Sequence, residues 1–303
     1  MTNIVAVIEQ IIMLFCITAV GAHMRRKQVM TDPVIKGVNS LLLRVAWPCM
    51  ILMTTQKEYA DGDLKNFFSV VLITMAVLTV MCLLTYALAK KWDREHAASI
   101  FTVASVMPNA GFVGLPIIKA VYGETGVFYL SAFLVGFNLV VWTVCVFLMT
   151  GFSLRSLKSA LNPGFIAALV GTALFVFRIA LPTPLLSLVT QLGSMTTPLA
   201  MLLLGARLEK IPRRLFRSGA LWCSNAIKLL VMPLLTAALM RLLGMDATLT
   251  GIVVLSMAMP AAAVAQLFAE KYNTDIDFAA AGVALSTLLC IITIPLILLI
   301  LQV

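Results

Sequence analysis

The chain has 303 residues, of which 61% are hydrophobic and only 12% charged, and its mean hydropathy is +1.04. Water-soluble domains carry about 25% charged residues, so a soluble single domain, a disordered chain, a collagen and a disulfide-stapled secreted module are all excluded. The net charge of +9, from 22 basic and 13 acidic residues, reads as membrane topology rather than a nucleic-acid surface, because basic residues collect in cytoplasmic loops.

In chain order, ten apolar segments can be marked: 4–22, 34–54, 66–89, 97–120, 125–150, 163–182, 184–206, 217–243, 247–271 and 276–302. Most are long enough to cross a hydrocarbon core of about 30 Å as helices. The expected fold is an all-α membrane protein with ten transmembrane helices. The first segment does not read as a cleaved signal peptide. Nothing basic precedes it, whereas Arg25, Arg26 and Lys27 follow it, the reverse of a signal's charged leader. Those residues predict a cytoplasmic first loop. Ten spans then place Lys90, Lys91, Arg94, Lys210, Arg213, Arg214 and Arg217 on the same side, against Lys57, Lys65, Lys119, Arg178 and Arg241 opposite. This asymmetry predicts a multi-pass protein of the inner (cytoplasmic) membrane with both termini outside. All six cysteines lie inside apolar runs without CxxC spacing, so they read as small buried hydrophobes.

A repeat runs through the chain. Pro33, Pro48 and Pro108 are echoed at a nearly constant offset by Pro184, Pro198 and Pro260, and Lys119 by Lys271. Five spans precede the midpoint and five follow. The expected halves are residues 1–150 and 163–303, joined by a short link at 151–162. An odd number of spans per half makes the two halves enter the membrane from opposite sides, an inverted repeat of the kind that builds alternating access in transporters.

Segments 97–120 and 247–271 each carry an interruption near the middle. The first reads Met107-Pro108-Asn109-Ala110-Gly111-Phe112-Val113-Gly114-Leu115-Pro116, the second Met259-Pro260-Ala261-Ala262-Ala263. Proline removes a backbone donor and clashes with the preceding turn, and glycine lowers helical propensity further. Each half-helix is about 16 Å long, half the bilayer. Lipid cannot satisfy unwound backbone, so such breaks must face protein or a watery cavity. The alternative is an ordinary proline kink. Two crossing broken helices would aim the positive ends of their second halves at a central site, where a negatively charged ligand can bind.

At Asn109-Ala-Gly-Phe-Val-Gly-Leu-Pro116 the chain resembles the Asn-x-x-Phe-x-Gly-x-Pro signature of the auxin efflux carrier family, which includes bacterial malate and malonate permeases. Thr197-Pro198-Leu199-Ala200-Met201-Leu202-Leu203-Leu204-Gly205, Lys228-Leu-Leu-Val-Met-Pro233-Leu234, and Met259-Pro260 with Ala269-Glu270-Lys271-Tyr272-Asn273 are also similar to that family. The resemblance covers nearly the whole chain. It implies a fold like that of bile-acid symporters and sodium/proton antiporters, with a scaffold unit, a transport unit and elevator-type movement. It also implies export or exchange of small organic anions, and often a homodimer.

Asn109 is the first candidate for substrate contact, since its amide both donates and accepts. It is equally a favoured cap for the second half-helix. Pro108, Ala110, Gly111, Pro260, Ala261 and Ala262 line the expected site with it. Asn138 is a secondary candidate, whereas Asn225 and Gln266 are expected to make interhelical hydrogen bonds. Arg44, deep in the second segment, reads either as a carboxylate-binding cation or as a side chain that snorkels or props backbone carbonyls. Lys228 reads as a structural cation in place of a sodium ion or as a proton-coupling group. Glu9, the one acidic residue within a span, reads as a headgroup-facing carboxylate or a coupling group.

No HExxH, Cys/His cluster or GxxxxGK[ST] occurs, so neither an enzyme, a metal site, a cofactor nor an ATP-driven pump is expected. The expected function is secondary active transport of small organic anions across a lipid bilayer, with no nucleic-acid partner. The alternatives are a non-transporting sensor and a channel on the same fold.

Overall fold

The computed structural model describes residues 2–56, 63–92, 98–151, 163–208 and 212–301. These are helical nearly throughout. No strand is present among the described residues, and the one β-bridge joins Pro108 to Ala261. The order is α1 (Thr2–Arg26), α2 (Asp32–Leu41) running on into α3 (Trp47–Thr55), α4 (Asp63–Trp92), α5 (Ala98–Val106), α6 (Leu115–Val140) and α7 (Val146–Thr150). There follow α8 (Pro163–Val176), α9 (Thr183–Ser194), α10 (Thr196–Leu208), α11 (Gly219–Ala226), α12 (Met232–Leu242), α13 (Ala247–Ala258), α14 (Val264–Tyr272) and α15 (Ile276–Leu301). The link expected at 151–162 lies outside the described residues beyond Gly151.

Among the described residues six helical stretches are long and apolar enough to cross a membrane: Asp32–Thr55, Leu64–Lys91, Ile117–Thr150, Thr183–Arg207, Gly219–Leu242 and Ile276–Ile300. Helices Pro163–Val176 and Ala247–Ala258 are apolar but shorter. Large apolar side chains such as Leu72, Leu84, Phe177, Ile292 and Leu299 are exposed. That would be a liability in water, and it is what a lipid-facing surface requires.

Local chemistry sets the helix ends. Asp246 caps α13, its carboxylate accepting from Thr248 N and Leu249 N at 2.9 and 3.2 Å, which satisfies amides of the first turn. Segment 163–182 is helical only to Val176, because Arg178 turns left-handed at φ 54° and Ile179 N closes on Leu174 O at 2.8 Å. This 6→1 bond ends a helix in the Schellman manner, here without a glycine. In α6, Gly123 at φ 62° divides the helix into two, so residues 115–122 form the second half of segment 97–120.

Prolines shape the helix interiors by a route the sequence did not predict. The π-helical turns Leu42–Ala46, Ala110–Gly114 and Ile227–Val231 each end two residues before a proline: Pro48, Pro116 and Pro233. At Pro48 and Pro233 the ring displaces the carbonyl four residues earlier, and a wider turn accommodates it without stopping the helix, although the π turn Val141–Cys145 precedes no proline and Pro295 lies within α15 without one.

The helices pack as two groups. In the first, α1 packs chiefly on α10, and α3 on α8 and α9. In the second, α4 packs on α5 and α6, α12 on α13, α13 on α6, and α14 and α5 on α15. Close backbone approach in the first group uses glycine: a Cβ on Gly205 would fall on Thr18 O, and one on Gly21 on Leu202 O.

Candidate functional site: the crossing of two broken helices

Both expected interruptions are present. Helix α5 stops at Val106, and regular helix resumes only at Leu115 after the π turn. Helix α13 stops at Ala258, and α14 begins at Val264. The unwound residues pair with each other. Asn109 N donates to Pro260 O and Ala262 N donates to Met107 O, both at 2.8 Å. The pair is a two-bond antiparallel bridge centred on Pro108 and Ala261. Ala261 N donates to Ser286 Oγ of α15 at 2.9 Å. Pro108 and Pro260 have no amide to leave unpaired, so proline both causes the break and reduces its cost.

Lys228 completes this accounting. Its side chain is fully buried. Its amine donates to Met257 O at 2.8 Å and lies 3.5 Å from Val106 O, at the outer limit of a hydrogen bond. These carbonyls belong to the last turns of α13 and α5, where helix geometry leaves them without an intrahelical partner and the dipoles are negative. One amine therefore serves the C-terminal ends of both first half-helices.

The second half-helices present the opposite polarity. Asn109 occupies the cap position of the turn at Ala110–Gly114, but its side chain makes no capping bond. Its backbone carbonyl accepts from Val113 N and Gly114 N at 3.1 and 3.2 Å. The residue is only 3% exposed, and its Nδ2 has no hydrogen-bond partner. It lines a small space of about 10 Å³ together with Pro108, Gly111 and Ala262 from the crossing and Trp47, Met50, Leu134 and Phe137 opposite. That is the room of about one water molecule. Leu134 also walls a cavity of about 290 Å³, lined by Met53, Thr54 and Gln56, by Leu186 and Thr190, and by Leu115, Val127, Leu130 and Ser131. The larger cavity lies between the two packing groups, with Gln56 in its wall accepting from Leu181 N at 2.8 Å.

The structure brings together Pro108, Asn109, Ala110, Gly111, Pro260, Ala261 and Ala262, all expected at the crossing. Asn138 stands one step back. Its Oδ1 accepts from Trp47 Nε1 at 3.1 Å and its Nδ2 donates to Leu134 O at 2.7 Å, so it orients a wall residue. Asn225 donates within its own helix to Leu221 O, and Gln266 Nε2 has no partner. The interhelical bond expected of those two is made by Asn138. Arg44 is exposed on its π turn and does not line the crossing, and Glu9 is exposed on α1. Arg44 is near enough to Lys271 to interact electrostatically. Among the described residues no group of His, Cys, Asp and Glu could hold a metal ion.

Two contacts escaped sequence reasoning. Ser286 serves Ala261 N, and nothing in an apolar run marks it out. Arg207 and Glu270 sit at segment ends and read as loop charges, yet they form a buried ion pair of 2.5 Å.

Comparison with known proteins finds relatives along nearly the whole chain. The model of a family described as membrane transport protein matches residues 6–155 and 152–298. An uncharacterized transporter of Methanothermobacter thermautotrophicus is 25% identical over 304 residues, covering 95% of this chain and 96% of the relative. An uncharacterized transporter of Methanocaldococcus jannaschii is 22% identical over 301 residues, with the same coverage of each chain. The lysosomal cholesterol signaling protein of Mus musculus is 23% identical over 302 residues, covering 90% of this chain and 35% of the relative. A match across nearly the full length, on a chain whose signature residues form the crossing, shows that the protein belongs to the membrane transport protein family, that of the auxin efflux carriers, and is a transporter rather than an enzyme.

Proposed function

We propose that this multi-pass membrane transporter moves small organic anions, di- or monocarboxylates, by alternating access of the elevator type. In this reading ten spans form a 5+5 inverted repeat in the cytoplasmic membrane, with both termini outside and two copies forming a homodimer. The first packing group is the scaffold, and the second moves with the site. The observation that carries the reading is the unpartnered, buried Nδ2 of Asn109 at the crossing. A buried donor without a partner is costly, and here it stands where two half-helix N-termini favour a negative charge. The amine of Lys228 already satisfies the opposite, negative ends, which supports transport without a bound sodium ion.

Uptake of a radiolabelled dicarboxylate into proteoliposomes tests this. Saturable flux with counterflow, unchanged when potassium replaces sodium, is the expected result. Linear, non-saturable flux would mean a channel. Binding without flux would favour a sensor, a second reading that draws on the mouse relative, which is named a signaling protein.

A further inference from the structure

We propose that the ion pair Arg207–Glu270 is a lock that holds shut one face of the molecule, and that breaking it shifts the protein toward the state open on that face. The inference rests on the alternating-access reading above.

The two packing groups meet differently at their two ends. At the end that carries Arg25, polar contacts join them. Arg207 of α10 lies 2.5 Å from Glu270 of α14, with side chains 12% and 5% exposed. One turn away, Asn39 of α2 donates to Leu267 O of α14 at 3.3 Å. Trp47 is bonded to Asn138 deeper in the same seam. At the other end the groups stand apart around the 290 Å³ cavity. The molecule is thus closed on the Arg25 face and open on the opposite one, and Arg207–Glu270 is the only one of these closing contacts with charge on both partners.

A buried ion pair is worth little against an apolar pair of the same shape, but parting it leaves two uncompensated charges. It therefore resists any sliding of α14 past α10. Opposing charges sit beside it. Lys271, the neighbour of Glu270, lies over the rings of Trp142 and Tyr272 at 5.9 and 5.1 Å, and it is close enough to feel the charge of Arg44 on the first group. One attraction and one repulsion thus act across the same seam. Removing Glu270 leaves the repulsion alone and favours opening. Removing Lys271 leaves the attraction alone and favours closure. A two-state equilibrium responds to such differential contacts by changing populations.

The experiment uses Thr54→Cys, half-buried in the cavity wall, as a reporter in proteoliposomes. A membrane-impermeant maleimide is added on the cavity side, and the reaction rate at residue 54 is read by peptide mass so that native cysteines do not interfere. Glu270→Gln and Arg207→Gln are expected to slow labelling at least threefold. The exchange Arg207→Glu with Glu270→Arg is expected to restore it, and Lys271→Gln to leave it no slower than in the parent. Should one single variant fail to fold, the other carries the comparison with the exchange. Labelling that is unchanged in well-folded single variants, is slowed in the exchange, or is slowed by Lys271→Gln overturns the lock. Flux is measured in the same vesicles. Normal flux with unchanged labelling defeats the lock alone, whereas shifted labelling without flux in the parent defeats the transport reading and leaves the lock standing.

Discussion

At the scale of single residues, Asn109 and Lys228 make opposite predictions although both bury a nitrogen donor at one crossing. The Nδ2 of Asn109 has no partner, so removing it costs the fold nothing that it was gaining. Asn109→Ala is expected to lower organic-anion flux at least tenfold while thermal melting in detergent stays level or rises slightly, because deleting an unsatisfied buried donor removes a penalty. Wild-type flux in that variant would take Asn109 out of the site. Lys228 serves two carbonyls. Lys228→Met keeps the length and apolar stem but leaves Met257 O and Val106 O unpaired in a dry interior, at about 1–3 kcal/mol for each group left unsatisfied. Melting is expected to fall clearly, and Lys228→Gln, which keeps a donor, to fall less. Equal melting of the three proteins would mean that the amine is not holding the half-helices.

At the scale of elements, most of the helices were legible in the sequence because apolar length is a strong signal in a membrane chain. The breaks were legible too, since Pro108 and Pro260 with neighbouring small residues weaken a helix for local reasons. What they do there was not, because the bridge from Asn109 N to Pro260 O joins residues far apart in the chain. The π turns before Pro48, Pro116 and Pro233 were hidden, since a proline alone does not say whether a helix kinks, stops or widens. Glycines carry a similar ambiguity, which the packing resolves. A Cβ at Gly205 would strike the backbone of α1 at Thr18, whereas one at Gly37 meets nothing within 4 Å. Gly205→Ala is therefore expected to force α1 from α10 and lower stability by about 1–3 kcal/mol. Gly37→Ala is expected to raise it by up to about 1 kcal/mol through helix propensity. Melting of the two variants side by side checks the sign of each.

At the scale of the whole molecule, the distribution of charge and the distribution of space can be tied to one axis. The wide cavity lies by Thr54, Gln56 and Leu186, and the sealed seam lies by Arg207 and Glu270. The basic residues Arg25, Arg26, Arg214 and Arg217 belong to the sealed end, which faces the cytoplasm in the orientation proposed above. On that proposal the cavity faces outward, and an external anion would reach Leu134, the residue shared by the cavity and the crossing, before it met Asn109. Two exposed positions fix the axis. Lys65 stands at the start of α4 on the cavity end, and Arg214 on the short 3-10 turn at the sealed end. In intact cells an impermeant thiol reagent is expected to label Lys65→Cys fully and Arg214→Cys only after permeabilisation. The reverse pattern would turn the molecule over: the cavity would open to the cytoplasm, the lock would face outward, and the same crossing would load its substrate from inside.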